Sequence, residues 1–307
     1  MNGLNKTALF GTGLVVLYTA LISSADAITK FIAKGYAAPQ LFALSGMIVV
    51  ALAWVSARAG GPRQSLKTSC PRVMALRAAL TVVGSAAFFY AFRYLPFAEV
   101  FVFIGLMPIF AGLFSTPILQ EHVRPMAWAA LGAGFVGVLC LFPGGLSSVS
   151  FGHVIALVAC LCGTLSMVLA RYIGRYEKNA LAQVFYTNLA LAICMGAALP
   201  FVYQTMPLTD LAWVCAYAFC LFAARWLLVV SLRLLAAYAV TPLMNLQFVW
   251  MVALGAVFFG EVPAANIYLG VAIVIGSGVF MVWDQLQPDK AIAIPGWPWL
   301  RRFKIAR

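Results

Sequence analysis

The chain is poor in charge. Of its 307 residues 9% are Asp, Glu, Lys or Arg, and only eight are acids. A domain wetted on all sides carries roughly 25% charge, so a water-soluble globular fold is excluded. Histidine is scarcer still. His122 and His153 are too few to assemble a metal cluster, a Ser-His pair or a Cys-His pair, which argues against a membrane-embedded enzyme. The chain has no Walker phosphate loop, so it is not expected to hydrolyse ATP. Its seven cysteines are odd in number and nearly all fall within apolar stretches. Cys160-Leu-Cys162 lacks the spacing and partners of a zinc site. The cysteines read as small packing residues, and no cofactor or metal is expected.

What is present is hydrocarbon: 64% of residues are hydrophobic and the mean hydropathy is +0.99. A helix needs about 20 apolar residues to cross a bilayer. Ten stretches meet this, near 8–29, 39–57, 73–92, 98–119, 126–142, 151–170, 180–200, 211–232, 238–259 and 264–283. The sequence therefore predicts an all-α integral membrane protein with ten transmembrane helices. The net charge of +12 does not imply nucleic acid, because the basic residues sit between spans without interleaved aromatics. Assigned to alternate sides, Lys and Arg divide 15 to 3. The positive-inside rule then places both termini in the cytoplasm, for a multi-pass protein of the cell inner membrane whose surroundings are the lipid bilayer.

Residues 14–34, LVVLYTALISSADAITKFIAK, pose a choice. The run could be a signal peptide ending at Ala25-Asp26-Ala27, or a retained helix that holds an acid in the membrane. Internal repetition decides between them. An offset of 141 pairs Gly11 with Gly152, Lys30 with Arg171 and Lys34 with Arg175; an offset of 140 pairs Arg93 with Arg233 and Glu121 with Glu261. The first span thus corresponds to the sixth, so it is expected to be the first helix of a repeat. The repeats cover 1–145 and 146–285, with 286–307 as a basic cytoplasmic tail. Each holds five spans, an odd number, so the second enters the membrane inverted, an arrangement of secondary transporters. The tail, IPGWPWLRRFKIAR, either contacts the cytoplasmic leaflet or is a disordered end.

FFYAFRYLPFAEV, the mid-helix Pro108, LQE at Glu121 and the glycine-rich LGAGFVGVL closely resemble the EamA-like branch of the drug/metabolite transporter superfamily. The resemblance covers about residues 10–283. It implies ten helices in two inverted five-helix repeats, cytoplasmic termini, and a central cavity lined mainly by spans 1, 3, 4, 6, 8 and 9. One departure is Phe248, which stands where the repeat would place a second mid-helix proline; Pro242 lies six residues earlier.

Ionisable residues within spans are costly in hydrocarbon and need a partner or a wet cavity. Asp26 is a candidate for a proton or a cationic solute group, or it pairs with Lys30 four residues on. Glu99 is a second acid, which also suits the positive end of its helix. Arg77, one turn inside the third span, is expected to reach back to the head groups. Arg225, whose counterpart is Ser85, would hold a carboxylate or phosphate through its planar fork, or it snorkels or pairs with an acid such as Asp26 or Glu99. Asn245 and Gln247 follow Pro242, which frees backbone carbonyls. Tyr18, Tyr90, Tyr186, Asn188, Trp226 and Trp250 lie near span centres and complete an aromatic substrate-binding wall, or else pack helices.

The expected function is a secondary active transporter working by alternating access on a small organic solute, coupled to a proton or a counter-solute. The resemblance points first to export or exchange of an amino acid or related compound. The alternative is an uptake carrier for a vitamin or nucleoside-like metabolite. A passive channel is the remaining reading.

Overall fold

The computed structural model describes residues 2–59, 66–95, 97–120, 150–177, 180–235, 240 and 243–259, with isolated helical positions between 128 and 136 and between 272 and 276; side chains of residues 2–8, 97–99, 101–102, 108 and 259 lie outside the description. The described residues are helical, with no strand among them. In chain order the helices are α1 (Asn2–Ala33), α2 (Ala38–Ala59), α3 (Pro71–Tyr94), α4 (Phe97–Leu119), α5 (Phe151–Tyr176), α6 (Ala180–Ala198), α7 (Leu208–Leu234) and α8 (Gln247–Phe259). They correspond to the first four and the sixth to ninth expected spans. The fifth and tenth spans lie almost wholly outside the described residues.

Local chemistry explains several boundaries. Pro71 opens α3, where its missing N–H costs nothing. Ser150 and His153 form a reciprocal capping box at the start of α5, with the Ser150 N–H donating to His153 Nδ1 at 2.8 Å. This gives His153 a structural task. Gln120 ends α4 with φ at 54°, the left-handed turn that closes many helices. The ninth span differs from expectation. Instead of one helix from 238, a turn at Asn245–Leu246 precedes α8, with Leu246 N–H donating to Leu243 O at 3.1 Å.

Six of the helices are long and apolar enough to cross a membrane, and the apolar stretches Phe103–Leu119 and Gln247–Phe258 are shorter. Large apolar side chains such as Phe10, Met47, Leu113, Ile193, Phe219 and Val257 point outward. An apolar exterior of this extent is suited to lipid and not to water. This is a multi-pass membrane protein.

Packing is dominated by pairs drawn from the two ends of the chain: α3 lies along α5, α1 along α7, and α2 along α6, while α4 also rests on α5. Two glycines allow the close approaches. A Cβ on Gly11 would stand 3.0 Å from Leu235 Cγ, and one on Gly152 would stand 2.9 Å from Leu95. Both numbers lie below comfortable contact, so α1 meets the end of α7, and α5 the end of α3, nearly backbone to side chain.

A central cavity between the helix pairs

A cavity of about 210 Å³ lies between α1, α3, α4, α5 and α7, with Phe42 of α2, Met244 and Gln247 completing the wall. On the same measure one water occupies about 10–15 Å³, so a small organic solute fits. Four expected site residues face it: Tyr18, Asp26, Arg225 and Gln247. Polar groups are supplied by Thr29, Thr81, Ser85 and Ser166, and the apolar wall includes Phe42, Phe88, Phe89 and Phe92.

Charge is arranged by level. Gly11 lies beside Leu235 and the Phe31 and Trp213 rings are 5.9 Å apart, so α1 and α7 run antiparallel. In that register Asp26 lies opposite residues 218–220. Arg225 is about six residues further along, roughly 9 Å at 1.5 Å per residue. Tyr18 and Tyr217 feel the charges of both Asp26 and Arg225. Arg225 Nη1 donates to Thr187 Oγ1 at 3.5 Å, at the outer limit for a hydrogen bond, so this guanidinium is only lightly held.

Arg77 overturns its expectation. It does not reach out toward head groups: it is 7% exposed, lines the cavity, and donates from Nε to Ser166 O at 3.3 Å and from Nη1 to Gln183 O at 3.1 Å. Lying six residues into α3, it finds two carbonyls of α5 and α6 nearer than the helix end.

The other expected residues are distributed differently. Asn245 and Asn188 are buried with Oδ1 unpartnered, and Asn188 Nδ2 donates to Val184 O at 2.8 Å. Trp250 Nε1 donates to Thr19 Oγ1 at 3.1 Å, tying α8 to α1. Trp226 is 42% exposed and faces away from the bundle. Tyr90 stacks on Tyr94, with ring centroids 6.3 Å apart, and Tyr186 meets Phe185 edge-on at 5.4 Å. The side chain of Glu99 lies outside the described residues.

Side-chain bonds join the halves at each end of the bundle. At one end Tyr36 donates its hydroxyl to Asp210 Oδ2 at 2.6 Å, and Gln204 N donates to Gln40 Oε1 at 3.0 Å. At the other, Glu177 Oε1 accepts from Thr68 Oγ1 and from the backbone N–H groups of Ser69 and Cys70. Nearby, Arg175 Nη1 donates to Leu119 O at 2.6 Å, and Arg233 Nη2 to Glu177 O at 3.0 Å. Neither set was singled out from sequence. Glu177 and Asp210 lie beside span ends, where acids ordinarily face water.

Residues 9–142 match the EamA-like transporter family. The resemblance to drug/metabolite transporters holds. Among its relatives is a riboflavin transporter of Rhizobium johnstonii, 22% identical over 226 residues, covering 74% of this chain and 75% of that protein. An S-adenosylmethionine uptake transporter of Rickettsia bellii is 22% identical over 288 residues, 93% of this chain and 97% of that one. A crystal structure of 18% sequence identity superposes with a TM-score of 0.74, covering 92% of this chain and 99% of its own, and establishes likeness of fold alone. The family match over residues 9–142, the transporter relatives and the membrane-length helices together make this chain a small-molecule transporter.

Proposed function

We propose that the protein is a secondary active carrier of the inner membrane, built from ten spans in two inverted repeats, 1–145 and 146–285, with both termini and the tail 286–307 cytoplasmic. The end bearing Arg171, Arg175, Glu177 and Arg233 faces the cytoplasm in this reading, as the excess of Lys and Arg there requires. One observation carries it. Cavity residues occur in pairs separated by 140 or 141 positions: Asp26 with Met167, Ser85 with Arg225, Ile104 with Met244, Met107 with Gln247. Two related halves contributing matching positions to one compartment is what alternating access between inverted repeats demands.

The end bonds repeat in the same way. Glu177 stands 141 residues after Tyr36, and Asp210 stands 140 after Cys70. Each bond therefore serves as a latch across the halves, and solute passage requires one to open while the other stays made.

The solute we favour is a vitamin-like or nucleoside-like metabolite with a flat ring system. The phenylalanine wall, with polar groups at a few points, suits such a body. The names of the riboflavin and S-adenosylmethionine relatives lean the same way. Amino-acid export or exchange is the second reading, supported by an acid and two arginines in one cavity. Asp26 is the proton-coupling group of either. An enzymatic role is disfavoured because His153 is committed to a helix cap.

The test is counterflow in proteoliposomes with riboflavin, S-adenosylmethionine and a set of amino acids, with and without a pH gradient. Saturable counterflow of one class supports the carrier. Flux that neither saturates nor responds to a counter-solute would make it a channel. Asp26→Asn is expected to retain exchange while losing the response to the pH gradient; an undiminished response would remove Asp26 from coupling.

A further inference from the structure

Two arginines, one from each half, meet on a single turn of α6. Arg77 of α3 donates to Gln183 O at 3.1 Å; Thr187 Oγ1 donates to the same carbonyl at 2.8 Å, and Arg225 of α7 donates to Thr187 Oγ1 at 3.5 Å. Both guanidinium groups line the cavity, and the charge of Arg225 is felt at Arg77. Two like charges held this close in a low-dielectric wall repel each other, and an anion between them would offset that cost.

We propose that Arg77 and Arg225 form a two-guanidinium subsite for the carboxylate or phosphate of an organic anion whose flat apolar body lies along Phe88, Phe89 and Phe92. Each guanidinium carries five N–H donors. Among the described residues Arg77 spends two, on Ser166 O and Gln183 O, and Arg225 one, on Thr187. The rest suit the planar fork that binds carboxylate and phosphate.

Charge balance points the same way. Among the described residues the lining holds two arginines and a single acid, Asp26, which lies about six helical residues, roughly 9 Å, from the level of Arg225. Neither arginine is paired with that acid: their hydrogen bonds go to Ser166, Gln183 and Thr187. Nor does the repeat require them, since Tyr217 stands at the position matching Arg77 and Ser85 at that matching Arg225. A purely structural arginine would cap carbonyls well. Arg77 does so in part, but the 3.5 Å contact of Arg225 holds little.

The subsite rests on the carrier reading only for the fate of the solute, because binding is measured without transport. Thermal stabilisation of the purified full chain is titrated with two matched pairs, riboflavin 5′-phosphate against riboflavin and indole-3-acetate against indole-3-acetamide. The first pair reads a phosphate, the second a carboxylate. At least one anion is expected to bind tenfold or more tightly than its neutral partner, with the preference falling to near parity in Arg225→Gln and Arg77→Gln. Arg225→Lys, which keeps charge and loses the fork, is expected to fall between. If Arg77→Gln does not fold, Arg77→Lys and Arg225→Gln carry the comparison. The proposal is overturned if neither anion is preferred, or if the preference survives both arginine changes. Counterflow run alongside separates the two ideas. Neutral solutes moving without any charge preference would leave the carrier and remove the subsite, whereas anion binding without saturable flux would do the reverse.

Discussion

The phenol of Tyr36 and the carboxylate of Asp210, 174 residues apart, are joined by a 2.6 Å hydrogen bond that ties the α1–α2 turn to the start of α7. Its counterpart at the opposite end uses the same repeat positions with different chemistry: Glu177 accepts from Thr68, Ser69 and Cys70 at the start of α3. Both bonds are made in this structure, one toward each end of the bundle.

Breaking one latch should favour opening at that end. In a cysteine-depleted background with Ser85→Cys as the cavity reporter, Glu177→Gln should speed labelling by an impermeant maleimide from the Arg175 end. A hydrogen bond to a buried charged group contributes about 1.5–3 kcal/mol, so the rate should rise roughly tenfold or more. Tyr36→Phe should speed labelling from the other end and leave the first unchanged. Equal acceleration at both ends by either variant would mean general loosening, not latching.

The Tyr36 bond also has a defined pH dependence. Donation to Asp210, with a smaller contribution from burial, raises the Tyr36 phenol above its ordinary value. A group raised in the folded state contributes stability that is fully present below its unfolded value, near pH 10, and is lost as pH climbs through the raised one. The latch is therefore intact across the neutral range. A difference titration of phenolate absorbance between the parent and Tyr36→Phe should show Tyr36 ionising later than an ordinary phenol, and Asp210→Asn should bring it back down. Ionisation at the ordinary value in the parent would contradict the bond.

The glycine contacts make a stability prediction. A methyl on Gly152 would meet Leu95 at 2.9 Å, while Gly13 has nothing within 4 Å of the same addition. Overpacking of this kind costs about 1–3 kcal/mol. Gly152→Ala should lower the melting temperature of the purified protein, and Gly13→Ala should leave it unchanged or slightly raise it. Equal melting temperatures would show that α5 and the end of α3 are not held in this close contact.

Much of the architecture was legible because bilayer crossing imposes a length and hydropathy on every helix; six of the eight described helices start within a few residues of their expected spans, while α1 begins six residues early and α8 nine residues late. Tyr18, Asp26, Arg225 and Gln247 were legible as polar or aromatic residues at apolar depth, and they reach the cavity. Phe42 and Phe89 were not, because one phenylalanine among many in an apolar helix carries no signal for which way it faces. Trp226 illustrates the same ambiguity in reverse: near a span centre, it turns outward. Arg77 stood close enough to a helix end to be expected at the head groups, and only the positions of the Ser166 and Gln183 carbonyls reveal its inward course. The repeat did hold a usable clue, since Ser85, the counterpart of Arg225, also lines the cavity.

In the proposed carrier two related halves rock about one shared compartment, and the most direct measurement follows both latches at once. Spin labels placed beside Tyr36 and Asp210, and in a second sample beside Glu177 and Thr68, give interlabel distances by pulsed dipolar spectroscopy in liposomes. As transported solute and pH are varied, the account predicts that populations with one distance lengthened have the other short. Lengthening of both together, or a fixed pair of distances while solute is being exchanged, would contradict it.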